Sequence, residues 1–88
     1  MAPSFPPPTS KPLDTIDPIQ RREYVGTWVQ GLQVEEATQF KGILIETSEL
    51  TSRVLVPSFG RTMIVNNKHL ETMPNTPRVW TTDGEPVR

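Results

Sequence analysis

Between residues 20 and 73, apolar and polar side chains alternate with a period of two, and β-branched residues occupy many of the apolar positions. Such alternation predicts β-strands, because successive side chains of a strand point to opposite faces of a sheet. We expect four strands and a short fifth one, over residues 24–34, 40–47, 53–57, 61–66 and 71–73. The apolar positions predicted to share one core are Val25, Val29, Leu32, Ile43, Ile45, Val54, Val56, Ile64 and Val65.

The polar stretches between these strands predict turns. Residues 35–39 form a loop in this interpretation, with a helical turn over residues 34–37 as the alternative. Ser58-Phe59-Gly60 predicts a tight hairpin, in which Gly60 takes a positive φ. The two asparagines of residues 66–70 favour a 3₁₀ turn that places Leu70 at the end of the core.

The prolines mark the boundaries of the folded part. Nine of the ten lie outside residues 20–73, and proline both fixes φ and removes a hydrogen-bond donor. We therefore expect a disordered, Pro-rich arm over residues 1–19, a small β-barrel over residues 20–73 and an extended tail over residues 74–88. Within the tail, residues 79–82 form a short β-prone segment ahead of the turn pair Asp83-Gly84.

Four or five short strands cannot cover each other as two separate layers, so we expect one bent sheet closed on itself. Glycines inside the strands, at Gly26, Gly31 and Gly42, would allow the bends.

This pattern resembles the Src-homology-3-like small barrels. The resemblance covers residues 24–73 and implies an all-β, five-stranded barrel, flanked here by the flexible arm and the tail. The acidic and aromatic clusters that line the peptide groove of signalling members are not evident in the sequence. An oligonucleotide-binding barrel is the competing closure, but it usually has a helix between its third and fourth strands, where only residues 58–60 are available here.

Composition and charge exclude or disfavour several classes of function. Lysine plus arginine number 9 and aspartate plus glutamate 10, which gives a net charge of −1. Residues 20–73 carry equal numbers of basic and acidic side chains, so strong binding to nucleic acid is disfavoured. The chain has no cysteine, which excludes thiolate catalysis and zinc–thiolate sites. Its longest apolar run is three residues, and residues 1–10 lack the basic and apolar regions of a secretory signal. We therefore expect no membrane insertion and a cytoplasmic location.

No catalytic, metal-binding or cofactor-binding site is predicted. His69 is the only histidine, and it is interpreted as a turn residue because functional histidines need an orienting partner. The close carboxylates at Glu35-Glu36 and at Glu46 and Glu49 are expected to be solvated, since a barrel this small is filled by its own side chains. We therefore predict that the chain is not an enzyme.

The remaining candidates are contact residues for a partner: Arg53, Phe59, Arg61 and Trp80. Arg53 and Arg61 could share one outer face next to Phe59 at the hairpin tip. Trp80 either folds back onto the barrel or serves as an anchor in a partner's pocket.

Small accessory subunits of electron-transfer complexes are similar in size and barrel type. The predicted function is a non-catalytic interaction module that docks on a larger protein assembly. The alternative is an RNA-binding or translation-associated barrel. An exposed edge strand also allows a homodimer.

Overall fold

A computed structural model describes residues 10–33, 36–74 and 76–87 of the chain. Residues 1–9 of the predicted Pro-rich arm lie outside the described residues. The elements are 3₁₀ turns at Leu13–Thr15, Arg22–Tyr24 and Asn67–His69, the helical turn α1 at Pro18–Arg21, and the strands β1 (Trp28–Gln33), β2 (Thr38–Thr47), β3 (Thr51–Val56), β4 (Arg61–Asn66) and β5 (Leu70–Thr72). None of the described helices has the length and apolar character needed to cross a membrane.

The five strands form one antiparallel sheet in the order β4-β3-β2-β1-β5. β1 is flanked by β2 and β5, so that Gly31 lies between Phe40 and Leu70. The predicted all-β, five-stranded fold is confirmed. The predicted hairpin between β3 and β4 is also present, with Gly60 at a φ of 67°, but its loop is one residue longer than predicted because Val56 pairs with Arg61. The 3₁₀ turn after β4 and the burial of Leu70 behind it agree with the sequence as well.

The sheet bends around a single core. The buried apolar side chains of this core are Leu13, Ile16, Val29, Phe40, Leu44, Val54, Val56 and Leu70, with Tyr24, Val25, Met63 and Val65 packed against it and partly buried. Since all five strands contribute to this set, the core fills the inside of the bent sheet. Burial of apolar surface of this kind is the main term that stabilises so small a fold.

Three predicted core residues face solvent instead. Leu32, Ile45 and Ile64 are 40%, 37% and 69% exposed. In β2 the core side is taken by Phe40 and Leu44, and the pairing with β3 shifts between Leu44 and Glu46, which places Ile45 at a bulge. In β4 the residues on either side of Ile64 pack against the core, so alternation turns Ile64 outward.

The segment before α1 also differs from the prediction. Leu13 is fully buried and Ile16 is 9% exposed, so placing them in a disordered arm is wrong. The 3₁₀ turn at Leu13–Thr15 directs Leu13 into the core, and the Asp17 carboxylate caps α1 by accepting from the Ile19 N–H at 2.9 Å. A leucine and an isoleucine among prolines show no period, which is why the sequence pattern gave no sign of their burial.

Arg21 is a buried cation that holds this segment against the turn between β2 and β3. Its side chain is 4% exposed. Nε donates to the Leu13 carbonyl oxygen at 2.8 Å, and Nη2 donates to that of Ile16 at 2.9 Å. Nη1 donates to the carbonyl oxygens of Ser48 and Glu49 at 3.0 and 3.3 Å. One guanidinium therefore joins two parts of the chain that the sheet itself does not pair.

Asn67 holds the same turn from the other side. Its side chain is 1% exposed, and its Nδ2 donates to the Ser48 carbonyl oxygen at 3.0 Å. Its backbone N–H donates to the Leu50 carbonyl oxygen at 2.9 Å, and its Oδ1 accepts from the Ser52 hydroxyl. Arg21 thus satisfies the buried carbonyl groups of Leu13 and Ile16, and Asn67 satisfies its own buried amide through the turn.

Candidate functional site: a groove at one end of the sheet

A groove of about 860 Å³ lies at the end of the sheet where β1, β2 and β5 meet the β3–β4 hairpin and the 3₁₀ turn at Asn67–His69. Its apolar lining is Trp28, Leu32, Phe40 and Pro57, and its polar and charged lining is Gln30, Gln39, Lys41, Ser58, Lys68, His69 and Glu71, together with Gly31. A concave surface that combines aromatic side chains with a few polar groups is the usual form of a binding site.

Phe40 forms the buried wall of the groove, and its position depends on a glycine. Phe40 lies directly opposite Gly31 on β1. A Cβ at residue 31 would lie 2.6 Å from Cζ of Phe40 and 2.8 Å from Cδ2 of Leu70. Only glycine leaves room for both side chains at this place. The Phe40 ring also contacts the ring of Phe59, with centroids 6.3 Å apart and an interplanar angle of 48°.

We expect Gly31→Ala to lower the free energy of unfolding by about 1–3 kcal/mol, because the added methyl group overpacks the contact between Phe40 and Leu70. Urea denaturation measures this loss. The double variant Gly31→Ala with Phe40→Leu is the control: a smaller side chain makes room for the methyl group, so its loss should be less than the sum of the two single losses. Strict additivity would contradict the steric explanation.

Trp28 occupies the outer face of β1. It is half-buried and lies opposite Ile43 of β2, while the next residue on the same face, Gln30, lies opposite Lys41. Gln30 Nε2 donates to Oε2 of Glu71 at 3.3 Å. The groove therefore presents a large aromatic surface beside a lysine and a carboxylate that is already engaged by a neighbouring amide.

The charged side chains of the groove come from three different elements. Lys41 belongs to β2, Lys68 and His69 belong to the 3₁₀ turn, and Glu71 belongs to β5. The groove thus has two lysines and one carboxylate, which favours a ligand with negative charge. Among residues 10–33, 36–74 and 76–87, no group of three or more His, Asp or Glu side chains is placed to hold a metal ion.

The structure does not bring the four predicted contact residues together. Arg53 lies opposite Glu46 and Ile64 on the outer face of β3. Arg61 lies opposite Val56, whose side chain is buried in the core. Because directly opposite residues share a face, Arg61 lies on the core side of the sheet, at the end of β4, and Arg53 lies on the outer side. The expected shared outer face of Arg53 and Arg61 is therefore wrong. Phe59 reaches the groove wall through its contact with Phe40.

Trp80 is half-buried, and the tail lies against the segment ahead of β1. The backbone N–H groups of Val79 and Trp80 donate to the Gly26 carbonyl oxygen at 2.8 and 3.0 Å. Arg78 Nη1 donates to the Val25 carbonyl oxygen at 2.6 Å, and Nη2 donates to that of Glu23. Of the two alternatives for Trp80, the structure therefore shows the folded-back one.

Sequence reasoning missed the groove, although it considered several of its residues separately. It placed Trp28 and Lys41 in two of the predicted strands and interpreted His69 as a turn residue. A local signal exists in β2, where Gln39 and Lys41 alternate with Phe40 and predict a polar outer face. Nothing in the local pattern shows that Lys68 and His69 approach this face, because that depends on the path of the chain after β4.

Comparison of the chain with protein-family models, with curated proteins and with solved structures gives no match.

Proposed function

We propose that this chain is a non-catalytic protein-interaction module that docks on a larger protein assembly and binds an extended segment of its partner in the groove. The groove itself carries the proposal. It crosses β1, β2 and β5, so it suits a segment of chain better than a compact ligand. Trp28, which is half-buried, and Leu32, which is 40% exposed, supply an apolar surface, and aromatic residues dominate the binding energy of most interfaces.

The charges of the groove indicate the chemistry of the partner. Lys41 and Lys68 lie at its border, while the carboxylate of Glu71 is engaged by Gln30. We expect the partner segment to carry a large apolar side chain for the aromatic surface and an acidic side chain for the lysines. Phe59 belongs to this contact surface because its ring contacts the ring of Phe40 in the groove wall. Partner contacts at Arg53, Arg61 and Trp80, which do not line the groove, stay predictions.

We also propose that the fold belongs to the Src-homology-3-like barrels. The support is the antiparallel five-stranded sheet, the tight β3–β4 hairpin and the 3₁₀ turn directly before the last strand. These are the features on which the sequence resemblance depended.

The test is selection of peptides from a random library on the full chain, followed by affinity measurements on the peptides obtained. Selected peptides should combine an apolar anchor with an acidic residue. Trp28→Ala and Lys41→Glu should each weaken their binding by about tenfold or more, which corresponds to about 1.4 kcal/mol. Arg53→Glu is the matched control, because it reverses a charge on an exposed strand residue that does not line the groove. Equal loss in Arg53→Glu and Lys41→Glu would contradict the proposal.

A single-stranded RNA oligonucleotide is titrated in the same assay. Aromatic side chains beside lysines can also stack and neutralise single-stranded nucleic acid. If RNA binds more tightly than every selected peptide, if its binding falls steeply with salt, and if Lys41→Glu abolishes it, the RNA-binding alternative replaces the protein-interaction module.

A further inference from the structure

The two edges of the sheet differ in whether another part of the chain covers them. The edge at β5 is covered by the preceding segment of the same chain: the Thr72 N–H donates to the Lys11 carbonyl oxygen at 3.0 Å, and the Lys11 N–H donates to Thr72 Oγ1 at 3.1 Å. The next residue, Pro12, has no N–H group and pairs with Glu71 in an isolated antiparallel bridge. This edge is therefore closed against strand addition.

The edge at β4 has no such cover. All six residues of β4 pair with β3 in an unbroken register, and β4 is the last strand of the sheet on that side. Among residues 10–33, 36–74 and 76–87, no backbone hydrogen bond reaches its outer side. One row of backbone N–H and C=O groups of β4 therefore has no backbone partner among the described residues.

The sequence of β4 lacks the features that usually protect an exposed edge. Its six residues include no proline, no glycine and no lysine, and its single charge, Arg61, lies at the hairpin end. The pairing with β3 contains no bulge. In natural proteins, proline, charged side chains or bulges commonly protect an edge strand against pairing with another chain. An unguarded β-prone edge of this kind is typical of a strand that pairs with another chain.

We propose that β4 pairs with β4 of a second copy of this chain, antiparallel and about a twofold axis through Ile64, to give a dimer with one continuous sheet. Directly opposite residues of an antiparallel pair share one face of the sheet. The axis at Ile64 therefore sets Ile64 against Ile64, which is 69% exposed in the single chain. It also sets Met63 of one copy against Val65 of the other on the core side, where both are only half-buried.

The strand is self-complementary in this register. Thr62 of one copy lies opposite Asn66 of the other, so the polar residues meet on the outer face, and no two like charges face each other. The neighbouring register, with the axis at Met63, would instead set Arg61 against Val65. Self-complementarity is what a twofold interface requires, which favours a second copy over an unrelated strand.

The dimer is independent of the groove. No residue of β4 lines the groove, so both copies would keep it open, and peptide binding and dimer formation can each fail without the other.

The first test is sedimentation velocity of the full chain over a wide range of protein concentration. The unaltered chain should pass from monomer to dimer as the concentration rises. Ile64→Lys should weaken the dimer by about tenfold or more, because it sets two ammonium groups against each other at the axis. Leu50→Lys is the matched control, since Leu50 is similarly exposed, at 71%, but lies in the turn between β2 and β3. A monomer at all concentrations, or equal weakening by Leu50→Lys, overturns the proposal.

The second test determines the register with single cysteines, which is unambiguous because the chain contains none. Opposite residues of an antiparallel pair have Cα atoms about 5 Å apart, within the range of a disulfide. Ile64→Cys should therefore give a rapid intermolecular disulfide under mild oxidation. Thr62→Cys should not, since the two cysteines would lie about 13 Å apart along the strands. Faster cross-linking of Thr62→Cys overturns the proposed register.

Discussion

Replacing Arg21 by methionine is expected to lower the free energy of unfolding by about 3 kcal/mol, the largest loss among the substitutions considered. Methionine keeps the length and much of the apolar surface of the side chain but removes every donor. The guanidinium makes four hydrogen bonds to carbonyl oxygens, and hydrogen bonds that involve a charged group contribute more than neutral ones. Urea denaturation followed by tryptophan fluorescence measures the change.

Two further variants identify the cause of the loss. Arg22→Met removes a neighbouring arginine that is exposed, and its stability should stay close to that of the unaltered protein. Arg21→Lys keeps the charge, but a single ammonium cannot take the place of the planar, forked guanidinium, so an intermediate loss is expected. If Arg21→Met is no more harmful than Arg22→Met, Arg21 does not hold the N-terminal segment against the turn between β2 and β3.

Gly26→Ala should have the second-largest effect, about 2–3 kcal/mol, and should also detach the tail. Gly26 has a φ of 91°, which side-chain-bearing residues adopt only at a cost. A Cβ at this position would lie 2.0 Å from the Trp80 carbonyl oxygen. Because this neighbour is backbone, the tail has to move away and lose its two hydrogen bonds to the Gly26 carbonyl oxygen. Denaturation gives the loss, and a red shift of tryptophan emission reports the exposure of Trp80.

The control for Gly26→Ala is Gly84→Ala. Gly84 has a similar φ of 88°, but nothing lies within 4 Å of the Cβ that alanine would add. Its variant therefore measures the cost of the backbone conformation alone. The difference between the two variants is the contribution of the tail contact, and a difference near zero would mean that the tail adds no stability at this point.

The strands could be predicted because their burial repeats with a fixed period. Val54 and Val56 alternate with the exposed Arg53 and the half-buried Leu55 in β3, and the structure buries both valines. β1 begins four residues later than predicted, because residues 22–24 form a 3₁₀ turn and Gly26 takes a positive φ ahead of the strand. Local alternation gives the type of an element more reliably than its ends.

Other parts of the fold depend on contacts between distant parts of the chain, which a local pattern does not contain. The burial of Leu13 requires the space next to Leu70, and the burial of Arg21 requires the carbonyl groups of residues 48 and 49. A lone leucine among prolines and an arginine beside another arginine look like exposed residues in the sequence. Their positions follow from tertiary packing alone.

The contact residues predicted from the sequence do not lie on one surface. Phe59 was identified as a contact residue and lies against the groove wall, whereas Arg53 and Arg61 lie on different sides of the sheet. Their separation follows from the register of β3 and β4: residues that face each other share a side, and Arg61 faces Val56 rather than an outer-face residue. The sequence predicted a three-residue loop over residues 58–60, whereas Val56 pairs with Arg61 across four residues, and this shift by one residue turns Arg61 to the opposite side of the sheet.

The contacts between Lys11 and Thr72 join residues 61 positions apart. Leu13 and Leu70, which enclose the core from the same two segments, have to come together over a similar length of chain. Ordering such a long loop costs entropy before its contacts are made, so folding should be slow for a chain of this size. During synthesis, a nascent chain that lacks β5 would leave Leu13 and Phe40 uncovered, and the fold can be completed only after residue 72 has left the ribosome.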